Sequence, residues 1–502
     1  MFKAKHILIV LLSFPFFNVY PQVKQLRIIH ANTLEGSESG AYKVRKLIGN
    51  VALEHEGMLL FCDSAYHYES ENFFDAYGRV RIRQGDSLFI KAGYLRYDLS
   101  TKNAVIEKGV RLSDNNMVLT TSRIIYNMST KSGYYNQYAE IVDDSSKLTS
   151  NAGRYDAAKK IMVFKNNVVL LNPDFTLNTD SLLYKINLHT AFFIAPTVIV
   201  SEESKIYCED GWYNTKTKQA EFRKNATITS GSRIISGDRI HYNSKSNEIQ
   251  VSGKVMFNDT AEKTIISGNY SIRNENTKTT LITDSALFIH YFENDTLFLH
   301  SDTIQLSTIR KNDKDYNLAV MWKHVKGYST SYQLKCDSLI YNSEDSTISF
   351  YGSPVVWQDK SQISAQEIKF FLKNGEVDKM QLTSNSFMIE SIDSLRFNQV
   401  KGKNMTGIFD NNQLSEVFTQ GNAESVYFLR DDQEKFIGRN NIASSFIHIV
   451  LNNKKIEKIN FMTSPEGYVE PPKSMDNQDA LLNGFKWLEK ERPLEIKDIF
   501  RQ

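Results

Sequence analysis

A short segment of alternating apolar and polar residues, ending in a tyrosine, recurs along this chain of 502 residues. Its clearest copies place tyrosines at a constant spacing of 29 residues, at Tyr97, Tyr126, Tyr155, Tyr184, Tyr213 and Tyr242. A fixed period of this length is typical of repeat proteins, in which each unit buries its apolar face against its neighbours. The pattern therefore predicts a long surface or groove rather than a compact pocket.

Within each segment the alternation has the two-residue period of a β-strand. In the copy at 179–185, Asp180, Leu182 and Tyr184 are expected to share one face. The opposite faces of the segments carry basic or polar side chains: Arg96, Arg123, Arg154, Arg239 and His241. One apolar and one solvated face indicate a half-buried antiparallel strand.

A turn and a second strand complete each repeat. Asp98 and Asn127 directly follow tyrosines, and Asp and Asn open turns readily. A second strand then runs to a Gly or Asn, as in the stretch at 103–110. Connections this short favour antiparallel pairing, because parallel strands need crossovers of a dozen residues or more. We expect each 29-residue repeat to add one strand to each of two sheets.

The regularity of the pattern divides the chain into segments. Residues 1–21 are interpreted as a secretory signal peptide, because basic residues precede a short apolar run. Regular repeats are expected over 22–262 and less regular ones over 263–374. Further strands over 375–465 are expected to continue the groove, and residues 466–502 to form a small mixed C-terminal cap or tail. The predicted fold class is all-β and elongated.

Composition and motifs argue against several functions. The 60 basic and 58 acidic residues are balanced, whereas a nucleic-acid-binding protein normally has a basic excess. The chain contains no HExxH, GxSxG, CxxC or P-loop motif, and its histidines do not have metal-ligand spacing. The sequence therefore predicts no enzyme activity, no cofactor, no metal site and no nucleic-acid partner.

Two kinds of chemically active side chain recur at equivalent places in the repeat. They are the aspartates Asp63, Asp180, Asp238 and Asp337, and the cysteines Cys62, Cys208 and Cys336. A pair of carboxylates that cleaves a sugar needs two different environments, so aspartates in equivalent places suit a structural role. Each cysteine precedes an acidic residue, and we interpret the three as one small, half-buried structural position.

The repeat resembles the organic-solvent-tolerance (OstA-like) family, which has an Asp-x-[Leu/Ile]-x-Tyr segment alternating with Gly-x-Val. The matching stretches are 63–64, 78–80, 109–110, 180–184, 238–242, 253–255 and 337–341, within about residues 25–355. The family includes the periplasmic bridge of lipopolysaccharide transport and the N-terminal domain of the outer-membrane translocon. The resemblance implies an antiparallel β-jellyroll, folded like a half-open V, whose interior shields the acyl chains of lipid A.

The resemblance also implies a location and partners. The expected location is the periplasm, with association at the outer membrane as an alternative. The expected partners are lipopolysaccharide or a related glycolipid, and other lipopolysaccharide-transport components of the inner and outer membranes. Exposed sheet edges would also permit end-to-end self-association. The residues expected to line the lipid groove are Leu95, Tyr97, Ile124, Tyr126, Leu182, Tyr184, Ile240, Tyr242, Leu339 and Tyr341.

Two other classes of protein remain open from the sequence. One is a structural or surface β-repeat protein, since a tyrosine and an aliphatic residue per repeat also suit an ordinary β core. The other is a polysaccharide-active β-solenoid enzyme, which should interrupt the repeat with one site of unlike residues.

Overall fold

The computed structural model describes residues 25–501, except positions 40, 41, 87, 115, 116, 144, 412, 432, 434, 453, 454 and 472–479. The proposed signal peptide at 1–21 lies outside the described residues. The described chain is all-β, as predicted, and forms two compact units, Met1–Pro173 and Asp174–Gln502.

Unit 1 consists of antiparallel strands. They are β1 (Arg27–His30), β2 (Thr33–Ser39), β3 (Tyr42–His55), β4 (Met58–Tyr68), β5 (Phe73–Gln84), β6 (Leu88–Asp98), β7 (Asn103–Asp114), β8 (Met117–Asn127), β9 (Ser132–Tyr135), β10 (Ala139–Val142), β11 (Lys147–Ser150), β12 (Ala152–Asp156) and β13 (Ile161–Asn172).

Unit 2 continues the same strand pattern. Its strands are β14 (Phe175–Lys185), β15 (Thr190–Phe193), β16 (Thr197–Val200), β17 (Lys205–Cys208), β18 (Asp210–Asn214), β19 (Gln219–Ser230), β20 (Arg233–Asn243), β21 (Glu248–Asp259), β22 (Thr264–Asn274), β23 (Thr279–Tyr291), β24 (Thr296–Lys311), β25 (Lys314–Tyr328), β26 (Gln333–Asn342), β27 (Thr347–Tyr351), β28 (Val355–Gln358), β29 (Ser361–Ser364), β30 (Glu367–Lys373), β31 (Glu376–Ser391), β32 (Phe397–Asp410), β33 (Gln413–Arg430), β34 (Phe436–Asn452), β35 (Lys455–Met462) and β36 (Glu466–Glu470). Short 3-10 helices lie at Ile186–Leu188, Glu489–Glu491 and Ile496–Phe500.

The turn after each tyrosine forms as the sequence predicts. The Asn127 side-chain oxygen accepts hydrogen bonds from the backbone N–H groups of Ser129 and Thr130, at 3.0 and 2.9 Å. Lys131 then adopts a left-handed conformation with φ of +52°. Asp98 makes the equivalent bonds one repeat earlier. The side chain thus replaces a backbone acceptor and fixes a tight reversal.

Each long strand is interrupted near its middle by a feature that we call the corner. Between β6 and β7 the pairing passes from Tyr94 opposite Glu107 to Lys91 opposite Arg111. The skipped residues of β7 include two with positive φ, a bulge of the kind that bends a strand. Consecutive residues with positive φ recur at 49–50, 78–79, 108–109, 166–167, 224–225, 253–254, 284–285, 323–324, 352–353, 384–385, 421–422 and 463–464.

The corner divides the strands of each unit into two arms. We call the arm that contains the repeated tyrosines the tyrosine arm, and the other the opposite arm. Strands β6, β7 and β8 each pass through the corner and pair with their neighbours in both arms. Each repeat therefore adds two strands to each arm, so the expectation of one strand per sheet was wrong. A chain that reverses only at the outer ends of the arms must cross the corner on every strand.

The core lies between the arms. In unit 2, Ile304 and Leu339 of the tyrosine arm share one buried cluster with Leu299 and Leu334 of the opposite arm. The inward faces of both arms are therefore apolar and pack together, as in a two-sheet sandwich.

Candidate functional site

The repeated tyrosines lie in rows across neighbouring strands. In unit 1, Tyr97 pairs with Ala104, which pairs with Tyr126. The row continues through Gly133 to Tyr155. In unit 2 the corresponding row is Tyr184, Ala191, Tyr213, Ala220 and Tyr242. The repeated tyrosines are therefore aligned across the strands within each unit.

The tyrosines alternate with small residues because each ring covers its neighbour. A Cβ atom on Gly133 would lie 2.8 Å from the Tyr126 ring, too close for any side chain. The small residues Ala104, Gly133, Ala191 and Ala220 also repeat at multiples of 29 residues. This second periodicity was the signal that the sequence analysis missed.

An aliphatic and aromatic row runs beside the tyrosines, nearer the corner. In unit 1 it includes Leu95, Ile106 and Ile124. In unit 2 it runs through Leu182, Phe193, Gly211, Phe222 and Ile240, and Leu339 occupies the same row further along. Phe193 and Phe222 stack at 6.4 Å between ring centroids.

The structure places all the predicted groove residues in these two inward rows. Seven are buried, namely Leu95, Tyr97, Ile124, Tyr126, Leu182, Ile240 and Leu339. Tyr184, Tyr242 and Tyr341 are half-buried. Their exposure therefore differs along the chain, although their position in the repeat does not.

The recurring aspartates do not belong to the inward face, so the expectation that Asp180 shares a face with Leu182 was wrong. Asp180 is exposed, because the corner reverses the alternation of inward and outward side chains. At the corresponding place Asp63 lies against Gly78, where φ is +71° and a Cβ would come within 2.4 Å of the carboxylate. The Arg79 guanidinium donates to the same carboxylate and lowers the pKa of Asp63. These contacts fit a structural role at the corner.

The cysteines occupy one position of the repeat, on the inner side of the corner. Cys62 faces Val51, and Cys336 faces Val325 across the same kind of strand pair. All three thiols, including Cys208, are buried and unpaired, and burial raises their pKa values to about 12. They are therefore protonated and unreactive while the interior is closed.

In unit 1 the outer ends of the two arms touch each other across the interior. Tyr97 ends the tyrosine arm of β6, and its hydroxyl lies 3.1 Å from Nδ1 of His55, at the end of the opposite arm of β3. Gln84, at the end of the opposite arm of β5, donates from Nε2 to the Met128 carbonyl at 2.8 Å. Both bonds join residues that are more than 40 positions apart in sequence.

An ion pair adds a third contact of this kind. Lys102, in the turn of the tyrosine arm, lies 2.5 Å from the Glu56 carboxylate in a turn of the opposite arm. We call the three contacts, His55–Tyr97, Gln84–Met128 and Lys102–Glu56, the clasp. Because the clasp joins both arms, it closes the mouth of the interior over β3–β8, where Tyr97 is only 1% exposed.

In unit 2 the outer rows keep partial exposure over β14–β21. On the opposite arm the half-buried inward residues are Ile199, Ile206, Ile228, Ile235 and Phe257. On the tyrosine arm they include Tyr213 and Tyr242. One aromatic contact joins the two arms here, between Phe175 and Tyr213 at 6.1 Å. The interior of this stretch therefore has a buried floor at the corner and accessible apolar rims.

Comparison with known proteins identifies the repeat. Residues 24–180 and 175–238 match the OstA-like protein family. The resemblance inferred from the repeat is thereby confirmed for this part of the chain. No curated protein matches the sequence significantly.

One solved structure with some likeness is LptH from Pseudomonas aeruginosa, described as the LptA-homologous periplasmic component of the lipopolysaccharide transport device. It is 12% identical and covers 22% of this chain and 82% of its own, with a TM-score of 0.20. A likeness this weak carries no argument about fold or function.

The described part of the chain contains neither a candidate metal-ligand cluster nor a candidate membrane-spanning helix. No cluster of three or more His, Cys, Asp or Glu residues there could hold a metal ion. Nor do those residues include a helix long and apolar enough to cross a membrane.

Proposed function

We propose that this protein is a non-enzymatic periplasmic lipid carrier that shields the acyl chains of lipopolysaccharide between the inner and outer membranes. The observation that carries the proposal is the pair of inward apolar rows over β6–β8 and β14–β20, in a chain with OstA-like repeats. In these two stretches the rows contain no charged side chain, which suits a carrier of a long apolar ligand. Further along unit 2 the tyrosine row includes Arg273 and Thr280.

The physical chemistry of the rows suits an acyl chain. Burial of apolar groups contributes roughly 0.8 kcal/mol per methylene, so about ten methylenes would contribute roughly 8 kcal/mol. Tyr213 and Tyr242 lie at a partly exposed rim, where a ring can contact the acyl chain while the hydroxyl meets a polar headgroup. The floor formed by Leu182 and Ile240 carries no charge.

The ends of the strand series suit docking to other transport components or to a second copy. On β3, β1 pairs with the opposite arm and β2 with the tyrosine arm. At the other end of the series, β36 pairs with the opposite arm of β34, and β35 pairs with its tyrosine arm. Such edge strands can accept a further strand from a partner. End-to-end assembly through them is part of the proposal.

Site-specific photo-crosslinking in lipopolysaccharide-exporting cells tests the proposal. A benzophenone side chain is placed at Ile240 or Ile235, which face inward, and at Arg239, which is the outward neighbour of Ile240. We expect the inward positions to yield adducts detected with an antibody to lipopolysaccharide, and Arg239 to yield few. Equal labelling at all three positions, or no labelling, would favour a structural repeat protein.

A further inference from the structure

The C-terminal segment at 480–501, which we call the strap, packs on the outward face of the opposite arm in unit 2. It crosses the strands in reverse order, from β33 to β24. Ala480 packs with Phe428 and Val426 of β33, and the Phe500 ring lies 4.7 Å from His300 of β24. The strap therefore covers a surface that faces away from the interior.

Glutamines on neighbouring repeats hold the strap by its backbone. Gln399 donates from Nε2 to the Ala480 carbonyl at 2.7 Å, and its Oε1 accepts from the Leu482 N–H at 2.9 Å. Gln362 makes the same pair of bonds to the Lys486 carbonyl and the Leu488 N–H, both at 2.8 Å. Both glutamines are 1% exposed. Backbone recognition of this kind accepts a peptide largely independently of its sequence.

The two glutamines lie in one row of outward side chains, and a second row nearer the corner contains Lys326, Lys335 and Phe387. Lys326 donates to the Arg501 carbonyl at 2.5 Å, and Lys335 pairs with Glu491. Phe387 contacts Phe485 at 6.3 Å between ring centroids. From Gln399 to Gln362 the strap advances six residues while it crosses about two strand spacings, or roughly 10 Å. A bound peptide thus spends about three residues on each strand.

Unit 1 contains two corresponding rows of outward side chains, at the same distances from the corner. Lys335 precedes the corner cysteine Cys336, and Phe61 precedes Cys62 in the same way. The first row in unit 1 runs from Phe61 through Arg81, Lys91 and Arg111. The second runs from Leu59 through Arg83 and Phe89 to Ser113. No described segment covers them, since Phe61 and Phe89 are 37% and 43% exposed.

The charged side chains of these two rows are all positive. Arg81, Lys91 and Arg111 are exposed and form no ion pair with the described residues, and Arg83 has only the exposed Asp86 at 3.6 Å. The Arg81 guanidinium lies 5.8 Å from the Phe61 ring. Cations beside exposed aromatic rings favour an acidic ligand with apolar side chains.

We propose that the outward rows of unit 1, centred on Arg81, Lys91, Arg111, Phe61 and Phe89, are a docking surface for an acidic peptide segment of a partner protein, which would cross the strands as the strap does. The strap shows that this face of the repeat holds a peptide segment with turns and short 3-10 helices, and the cations of unit 1 define the charge of its ligand. At about three residues per strand, an acidic residue at every third position would meet successive cations. This interaction is independent of the proposed lipid groove, which lies on the other side of the sheet.

Fluorescence anisotropy with two labelled dodecapeptides tests the proposal on the full mature chain. The acidic probe is (Glu-Ser-Phe)₄ and the control probe is (Lys-Ser-Phe)₄. We expect the acidic probe to bind and the lysine probe not to bind. Lys91→Glu or Arg111→Glu should raise the Kd for the acidic probe at least tenfold. Lys165→Glu is the matched control, exposed in the same unit but outside the two rows, and should leave the Kd unchanged.

Several results would overturn the proposal. One is equal binding of the two probes, and another is equal binding by the Lys91→Glu, Arg111→Glu and Lys165→Glu proteins. Sedimentation and vesicle-binding experiments test the two other possible occupants, a second copy of the chain and a membrane. Self-association that is lost with Lys91→Glu, without peptide binding, would assign the surface to a second copy. Binding to phosphatidylglycerol vesicles alone would assign it to a membrane.

Discussion

The clasp of unit 1 predicts that two small substitutions will open the interior without unfolding the protein. Tyr97→Phe removes the hydroxyl that bonds His55, and Gln84→Ala removes the donor to the Met128 carbonyl. Each bond should contribute about 1 kcal/mol to closure. Because 1.4 kcal/mol corresponds to a factor of ten, each substitution should raise the open fraction about fivefold, and the double variant about 30-fold.

Cys62 provides the assay, since it lies on the inner side of the corner in unit 1 and is 5% exposed. Burial raises the pKa of this thiol to about 12, so it reacts only when the interior opens to water. Alkylation by iodoacetamide, followed by mass spectrometry, should therefore be about 30-fold faster in the double variant. Cys336, an equally buried thiol of unit 2, is the internal control and should react at its original rate.

Two results would refute the reasoning about the clasp. If Cys62 reacted at the original rate in the double variant, the contacts would not control access to the interior. If Cys62 and Cys336 accelerated equally, the substitutions would have loosened the whole fold, and a fall in the free energy of unfolding would accompany the change.

Two further predictions concern stability. Gln362→Ala removes the bonds to the strap and the bond from the Trp357 indole at 3.1 Å, so the free energy of unfolding should fall by about 2–4 kcal/mol. Hydrogen exchange at 480–501 should also rise, and unchanged exchange would contradict the anchoring role. Gly153→Ala would place a Cβ 2.4 Å from the buried Tyr135 ring and should cost about 1–3 kcal/mol in thermal unfolding. Tyr135→Leu should partly rescue it, and a Gly153→Ala protein of unchanged stability would exclude the steric explanation.

The features that the sequence predicted correctly depend on local chemistry repeated at a fixed period. The turn after Tyr126 needs only the Asn127 side chain and its own backbone, so the residue type reveals it. The alignment of Tyr97 with Tyr126 follows because one intervening strand of constant length separates them. Similar reasoning placed Leu95 and Ile124 on the same inward face.

The sequence alone indicates that a strand ends at the Gly or Asn of the corner, whereas the strand bends there and continues. Glycine marks the corner at Gly78 and Gly253, but Lys323 with His324, or Asp284 with Ser285, adopts the same positive φ elsewhere. Most of these pairs contain a Gly or an Asn, so the residue type marks the position but does not show that the strand bends there and continues into the other arm. Only the structure could therefore show that Asp180 turns outward.

The long-range contacts were hidden for a different reason. His55 meets Tyr97 across 42 positions, and neither the histidine nor Gln84 belongs to a repeated motif. Gln333 also binds the strap, because its Oε1 accepts from the Arg492 guanidinium at 2.7 Å. Gln333 and Gln362 stand 29 residues apart, so one period of the strap-binding face was present in the sequence. That this face binds the strap could not be predicted, because the strap does not repeat and no periodicity specifies its path across the strands.

The strength of the clasp sets a condition on any ligand of the interior. Its two hydrogen bonds, at about 1 kcal/mol each, and its half-exposed ion pair, at less than about 1 kcal/mol, together contribute at most about 3 kcal/mol. At roughly 0.8 kcal/mol per methylene, burial of about four methylenes would match that cost. If the interior takes up acyl chains, a long chain would open unit 1 spontaneously, whereas a short amphiphile would not. The Tyr97→Phe and Gln84→Ala protein should then bind short-chain detergents that the unaltered protein rejects, so the same substitutions connect the closure of the arms to the choice of ligand.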